Sequence, residues 1–235
     1  MIWILPLLAV TALGDWPLER GSLNGSAART EDLPAELDLR WRFQQEGRAF
    51  ESTPVVVDGQ LFIGDMDGTV YCLSAADGQL KWHVDGWGPI KAAAGYDAGL
   101  LVVADIDGLV RGLDAQTGKE RWQFEANGEI DSGPAFDQQH VLIAAQDGRL
   151  YCLNREDGSL IWTYETSDQI RCSPTVVEGL TLLGGCDGQM HIIDVRTGQA
   201  TRTPLPLGSP TGATPAVVEM RAAVATYGGE VLMFD

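Results

Sequence analysis

The stretch DGTVYCLSAADGQLKW, residues 67–82, decides the fold, because the chain returns to it at a fixed interval. DGLVRGLDAQTGKERW follows at 107–122, DGRLYCLNREDGSLIW at 147–162, and a worn copy, DGQMHIIDVRTGQATR, at 187–202. Gly68, Gly108, Gly148 and Gly188 keep a spacing of 40, as do Gly78, Gly118, Gly158 and Gly198, and as do Trp82, Trp122 and Trp162. A period of that length marks an architecture in which each copy is one small unit packed on its neighbours. Within a unit, TPVVVDGQLFIGDMDGTVYCLSAADGQLKWHV (53–84) alternates apolar and polar residues in short runs cut at Asp58-Gly59, Asp67-Gly68 and Asp77-Gly78. Alternation broken by Asp-Gly turns predicts an antiparallel meander of four strands. No helical period is sustained in the repeat region, which excludes a stack of helical repeats.

Both parities of these strands carry Val, Ile, Leu or aromatic side chains, so each sheet needs cover on both faces. Radial packing of like sheets supplies it, and four-stranded units of this length suit the blades of an all-β propeller. The turn glycines provide positive φ, and the Trp closing each unit is read as a wedge between blades. Four units from about residue 52 to 205 give sixteen strands, and TPAVVEMRAAVATYGGEVLMFD (214–235) gives three. In LDLRWRF, Trp41 marks the last strand of a unit whose other three are missing upstream. The sum predicts five blades, closed by pairing the strand near Trp41 with residues 231–234, because closure removes exposed sheet edges. The alternative is an open arc of a larger propeller. In the fourth unit Arg202 stands where the others have Trp, and TPLPLGSPTG (203–212) follows, which predicts a looser seam to the fifth blade.

The chain of 235 residues is 45% apolar and carries a net charge of −17, with a pI near 4.4. That field repels phosphate backbones and anionic lipid, so nucleic acid is excluded as the expected partner. Residues 1–14, MIWILPLLAVTALG, contain no charge and end in Ala12-Leu13-Gly14. They read as a signal peptide cleaved before Asp15, too short to be a transmembrane span. The expected location is therefore periplasmic or secreted, with an N-terminal extension over 15–36 and the propeller over 37–235.

The stretches LSAADGQLKW, LDAQTGKERW and LNREDGSLIW resemble the Ala-x-Asp-x-x-Thr-Gly-x-x-x-Trp docking motif of PQQ-like (pyrroloquinoline-quinone-like) propeller repeats. DWPLERGSLNGSA, at 15–27, resembles the lead-in of secreted bacterial members of that family. The resemblance covers roughly residues 36–235. It implies a propeller, and either a quinoprotein oxidoreductase or a BamB-like interaction scaffold. Quinoprotein enzymes hold PQQ over a vicinal cysteine disulfide, beside a calcium ion and a catalytic Asp. Here no two cysteines are adjacent and no residue matches those ligands, so no PQQ, catalytic, cofactor-binding or metal residue is expected. What the resemblance implies is a non-catalytic scaffold for an envelope or extracellular protein. The alternative is a quinoprotein-like oxidoreductase or a polysaccharide-acting protein that uses charges at the channel mouth.

Those charges are Glu51, Lys91, Asp131 and Arg171, which stand just before the innermost strand of successive units and are followed by Gly212. Alternating signs around a funnel are accounted for better by a belt of interblade ion pairs, and this rim is also where any ligand or peptide contact is expected. Asp65 with Asp67, and Asp105 with Asp107, have the spacing that opens a calcium loop but lack its further ligands, so turn geometry accounts for them better. Cys72 and Cys152 read as small buried apolar residues. Cys172 and Cys186 flank a hairpin and face each other only if its loop holds an odd number of residues. His83, His140 and His191 show no metal spacing, and His191, at the place of Tyr71, Arg111 and Tyr151, reads as interblade packing.

Overall fold

The structure, a computed structural model, describes residues 15–22 and 36–235. The leader 1–14 and residues 23–35 of the extension lie outside them. The described residues form nineteen strands and no helix. The first sheet contains β1 (Val55–Val57), β2 (Gln60–Gly64), β3 (Val70–Ser74) and β4 (Leu80–Val84). β5 (Gly95–Asp97), β6 (Leu100–Ala104), β7 (Leu109–Asp114) and β8 (Glu120–Glu125) form the second. The third holds β9 (Ala135–Asp137), β10 (His140–Ala144), β11 (Arg149–Asn154) and β12 (Leu160–Glu165). In the fourth are β13 (Thr175–Val177), β14 (Leu180–Gly184), β15 (Gln189–Asp194) and the two-residue β16 (Leu205–Pro206). The fifth has only β17 (Ala216–Val218), β18 (Arg221–Ala225) and β19 (Val231–Phe234).

Every sheet is an antiparallel meander, as the alternation requires. Its first hairpin turns on two residues, with Val57 opposite Gln60 in the first sheet and Val177 opposite Leu180 in the fourth. Such turns match the right-handed strand twist only with positive φ at the central residues, and Asp58 (50°) and Glu178 (49°) adopt it although neither is glycine. The two-residue turn also settles the cysteines. With Thr175 opposite Leu182, Cys172 and Cys186 are out of register and on opposite faces, and both are free thiols.

Neighbouring sheets bury each other face to face. Between the first and second, Val55, Phe62, Val70 and Cys72 pack on Leu101, Val103 and Leu113. Three of the four seams are wedged by a tryptophan lying on the turn glycine of the next unit, Trp82 on Gly118, Trp122 on Gly158 and Trp162 on Gly198, and Trp41, which lies in no strand, rests in the same way on Gly78 of the first sheet. Each indole Nε1–H donates to a carbonyl of that same turn, those of Ala75 (3.0 Å), Ala115 (3.1 Å), Arg155 (2.9 Å) and Val195 (2.9 Å). A β-carbon on Gly158 would lie 2.6 Å from the Trp122 ring, so glycine is needed there for contact as well as for φ. The fourth seam lacks a wedge. Its buried cluster is small, with Ile192, Leu205, Leu232 and Phe234 only partly covered, and an apolar cavity of about 120 Å³ with Arg202 in its wall opens there. The expected loose seam is thus present.

The expected closing ladder is absent among the described residues. Residues 37–45 form no strand, and β19 pairs with β18 alone. Val231 and Met233 are left 76% and 61% exposed. Among the described residues, the five sheets thus form an arc that no ladder closes. Counting strands showed that the two ends complement each other, but it carried no information on the angle between successive sheets. That angle comes from the side chains packed in the four seams, and no strand forms around Trp41 to meet β19.

Candidate functional site

β1, β5, β9, β13 and β17 are the outermost strands of their sheets on the side where the sheets converge, and β1 approaches β5, β9 approaches β13 and β13 approaches β17. The axis of the arc lies along these strands. Glu51, Lys91, Asp131 and Arg171 sit four residues ahead of β1, β5, β9 and β13, so the structure sets all four at one end of the axis. Among the described residues, no ion pair within 4 Å joins any two of them. The Arg171 guanidinium instead donates from Nε (3.1 Å) and Nη2 (3.0 Å) to Gln169 Oε1, and Asp131 Oδ2 accepts from Gln146 Nε2 (3.0 Å). Glu51, Lys91 and Arg171 are exposed, whereas Asp131 is half-buried. Burial pushes the Asp131 carboxyl above its ordinary range, against the opposing fields of Arg171 and Lys91. The belt of interblade ion pairs is therefore not formed among these four side chains.

The paired acidic residues serve the turns. Asp65 is fully buried, and its carboxylate accepts the amides of Asp67 (3.0 Å) and Thr69 (2.8 Å) and the hydroxyl of Tyr71 (2.8 Å). Asp105 accepts the amides of Asp107 (3.1 Å) and Leu109 (3.0 Å), and across the seam that of Gly88 (2.8 Å). Among the described residues, no three His, Cys, Asp or Glu side chains converge as metal ligands would. Burial pushes the Cys72 thiol up to about 11 and those of Cys152 and Cys172 up to about 12. His191 lies between sheets, its Nδ1 2.9 Å from the Tyr164 hydroxyl and its Nε2 3.0 Å from Asp187 Oδ2. That chain bridges the third seam, the packing role expected of this position.

Sequence reasoning noted Asp15–Ser22 as part of a lead-in but missed where it sits. It runs along the inner strands and touches four sheets in order. Trp16 exchanges backbone hydrogen bonds with Val56 of β1, and the Pro17 carbonyl accepts the Tyr96 amide of β5 (2.8 Å). Leu18 is buried in the same cluster as Phe136 of β9, and Glu19 Oε2 accepts the Ser173 hydroxyl ahead of β13 (2.7 Å). The signal was the apolar Trp-Pro-Leu run within an otherwise polar stretch.

Sheets of four antiparallel strands, stacked side by side around an axis and wedged by a periodic tryptophan, define the β-propeller class. Two overlapping matches to one family model, over residues 36–130 and 106–235, place the chain in the PQQ-repeat family described as outer membrane protein assembly factor BamB, and the chain belongs to it. No curated protein matches the chain. Among solved structures, BamB from Moraxella catarrhalis superposes with a TM-score of 0.73 at 23% identity, over 83% of this chain and 61% of that one. The chain therefore spans about three-fifths of that BamB. The computationally designed Ika8 protein matches with a TM-score of 0.70 at 20% identity, over 77% of this chain and 57% of the design. The designed Ika4 protein matches at 0.62 and 18% identity, over 68% of this chain and 99% of the design. At these identities the likeness is one of fold.

Proposed function

We propose that the chain is a non-catalytic interaction scaffold that is secreted or periplasmic and holds an envelope or extracellular protein. The observation that carries this reading is the pair of uncovered end faces. On β19, Val231 and Met233 stand at the positions of Val70 and Cys72, which are buried by the following sheet in the first seam. On the first sheet, Leu61 and Ile63 take the places of Leu101 and Val103 but are only partly covered, and with Trp41, Phe43 and Phe50 they line an apolar hollow of about 320 Å³. Apolar faces of this kind, beside an unpaired strand edge, are what protein partners cover. The family's description as an assembly factor points the same way. The proposal assigns no cofactor, and it makes Glu51, Lys91, Asp131 and Arg171 a second contact zone at the mouth of the axis.

Photo-crosslinking side chains placed singly at Met233, Ile63 and Arg171 test this in envelope fractions. A scaffold gives one discrete adduct with another protein at Met233 or Ile63, weakened by Val231→Lys or by Arg171→Glu. Adducts indifferent to these reversals, or none at any position, overturn the reading.

A further inference from the structure

Asp15–Ser22 lies outside the repeat, yet it is seated as a ligand would be. Its backbone extends the free edge of β1 through Trp16 and Val56, the pairing by which extended peptides add to sheets. Pro17 lacks an amide and cannot continue that ladder, so the segment crosses to β5 and gives its carbonyl to Tyr96. Leu18, 7% exposed, enters a socket that exists because residue 95 is glycine. A β-carbon there would come within 2.6 Å of Pro134 and 3.3 Å of the Leu18 side chain. Glu19 then meets a prepared donor. Ser173 Oγ accepts the Gly133 amide (3.0 Å), which leaves its proton for the Glu19 carboxylate at 2.7 Å. Ser173 is itself buried, and among the described residues no cation pairs with Glu19.

We infer that the converging inner edges of the first four sheets are a binding groove for an extended peptide, and that residues 15–22 are its resident occupant. The ligand class follows from the contacts: a residue paired in extended conformation with Val56, a proline, an aliphatic side chain for the socket walled by Gly95 and Phe136, and a carboxylate for Ser173. A segment of this chemistry on another protein fits the same groove once the resident segment leaves. A tethered occupant competes at an effective concentration on the order of millimolar, so an external peptide enters only when the resident contacts are weakened. The groove stands apart from the end faces, and its test is independent of theirs.

The experiment uses the full chain and a fluorescein-labelled octapeptide, DWPLERGS, followed by anisotropy, with hydrogen exchange read at the Val56 and Tyr96 amides. Leu18→Asp in the protein empties the socket. The peptide is expected to bind this variant at least tenfold more tightly than wild type and to restore slow exchange at both amides. The same peptide with Asp in place of its leucine is expected to bind about tenfold to a hundredfold more weakly, the worth of burying one leucine. Equal binding of the two peptides, or no binding to the variant, overturns the inference. A measurement on wild type alone guards against a variant that does not fold. The Val56 and Tyr96 amides point off the free edges of their sheets, so exchange there at the rate of an open edge means that the segment is not seated.

Discussion

Trp122 and Gly158 allow the wedge to be tested as a pair. Trp122 is buried, its ring lies on Gly158, and its Nε1–H reaches the Arg155 carbonyl. Trp122→Ala removes a core aromatic and its hydrogen bond, a loss of about 3–5 kcal/mol. Gly158→Ala adds one methyl. At φ 70° it costs about 1–2 kcal/mol in backbone strain, and its β-carbon, 2.6 Å from the indole, adds about 1–3 kcal/mol of overpacking. Once the indole is gone, the overpacking has no object. The double variant should therefore lose only about the tryptophan and strain costs, leaving a coupling of about 1–3 kcal/mol between the two sites. Urea unfolding of the four proteins in the cycle measures this, with circular dichroism as the probe because Trp122 is itself a fluorophore. Strictly additive losses, with coupling below about 0.5 kcal/mol, would refute the claim that the glycine is there to receive the indole.

Three further outcomes are expected. Burial holds the Asp131 carboxyl above its ordinary 3.8, so its stabilising contribution is complete below that value and is lost as pH rises through the folded one. Asp131→Asn should accordingly gain stability over wild type between acid and neutral pH, measured by urea unfolding across that range, and a difference that shrinks as pH rises contradicts the assignment. At pH 8 an aromatic disulfide reagent should label Cys186 first, with Cys72, Cys152 and Cys172 reacting only in denaturant because burial keeps those thiols protonated; two or more fast equivalents would count against this. Val231→Lys with Met233→Lys places charge on the open edge of β19 and should lower self-association at high salt, followed by light scattering, while an unchanged signal shows that this edge is not sticky.

Much of this architecture was legible because it repeats. The spacing of Gly78, Gly118, Gly158 and Gly198 against Trp41, Trp82, Trp122 and Trp162 reports a contact made in every wedged seam, and Arg202 pointed to the seam that lacks it. Features that occur once were harder to read. Ring closure depends on the angle at each seam, which arises from packing and leaves no mark at a single position. The axial segment was visible as DWPLERGS, but its partners Val56, Tyr96 and Ser173 lie far along the chain and show no pattern that points back to it. The mouth charges were found by their place in the period. That they form no ion pairs with one another depends on side-chain reach, and Gln146 and Gln169 take up Asp131 and Arg171 first.

A row of units that touch only their immediate neighbours comes apart piecemeal, each boundary failing on its own terms. Residues 15–22 change that behaviour, because they are the one described stretch tied to the first four sheets at once. Pulled from its C-terminal end, the molecule should shed the fifth sheet alone at low force, where the indole is missing. It should then resist, since the next rupture must strip a tether that spans the remaining four. Its mechanical weak point and its load limiter are thus set by two small sequence features, an arginine in place of a tryptophan and an octapeptide outside the repeat.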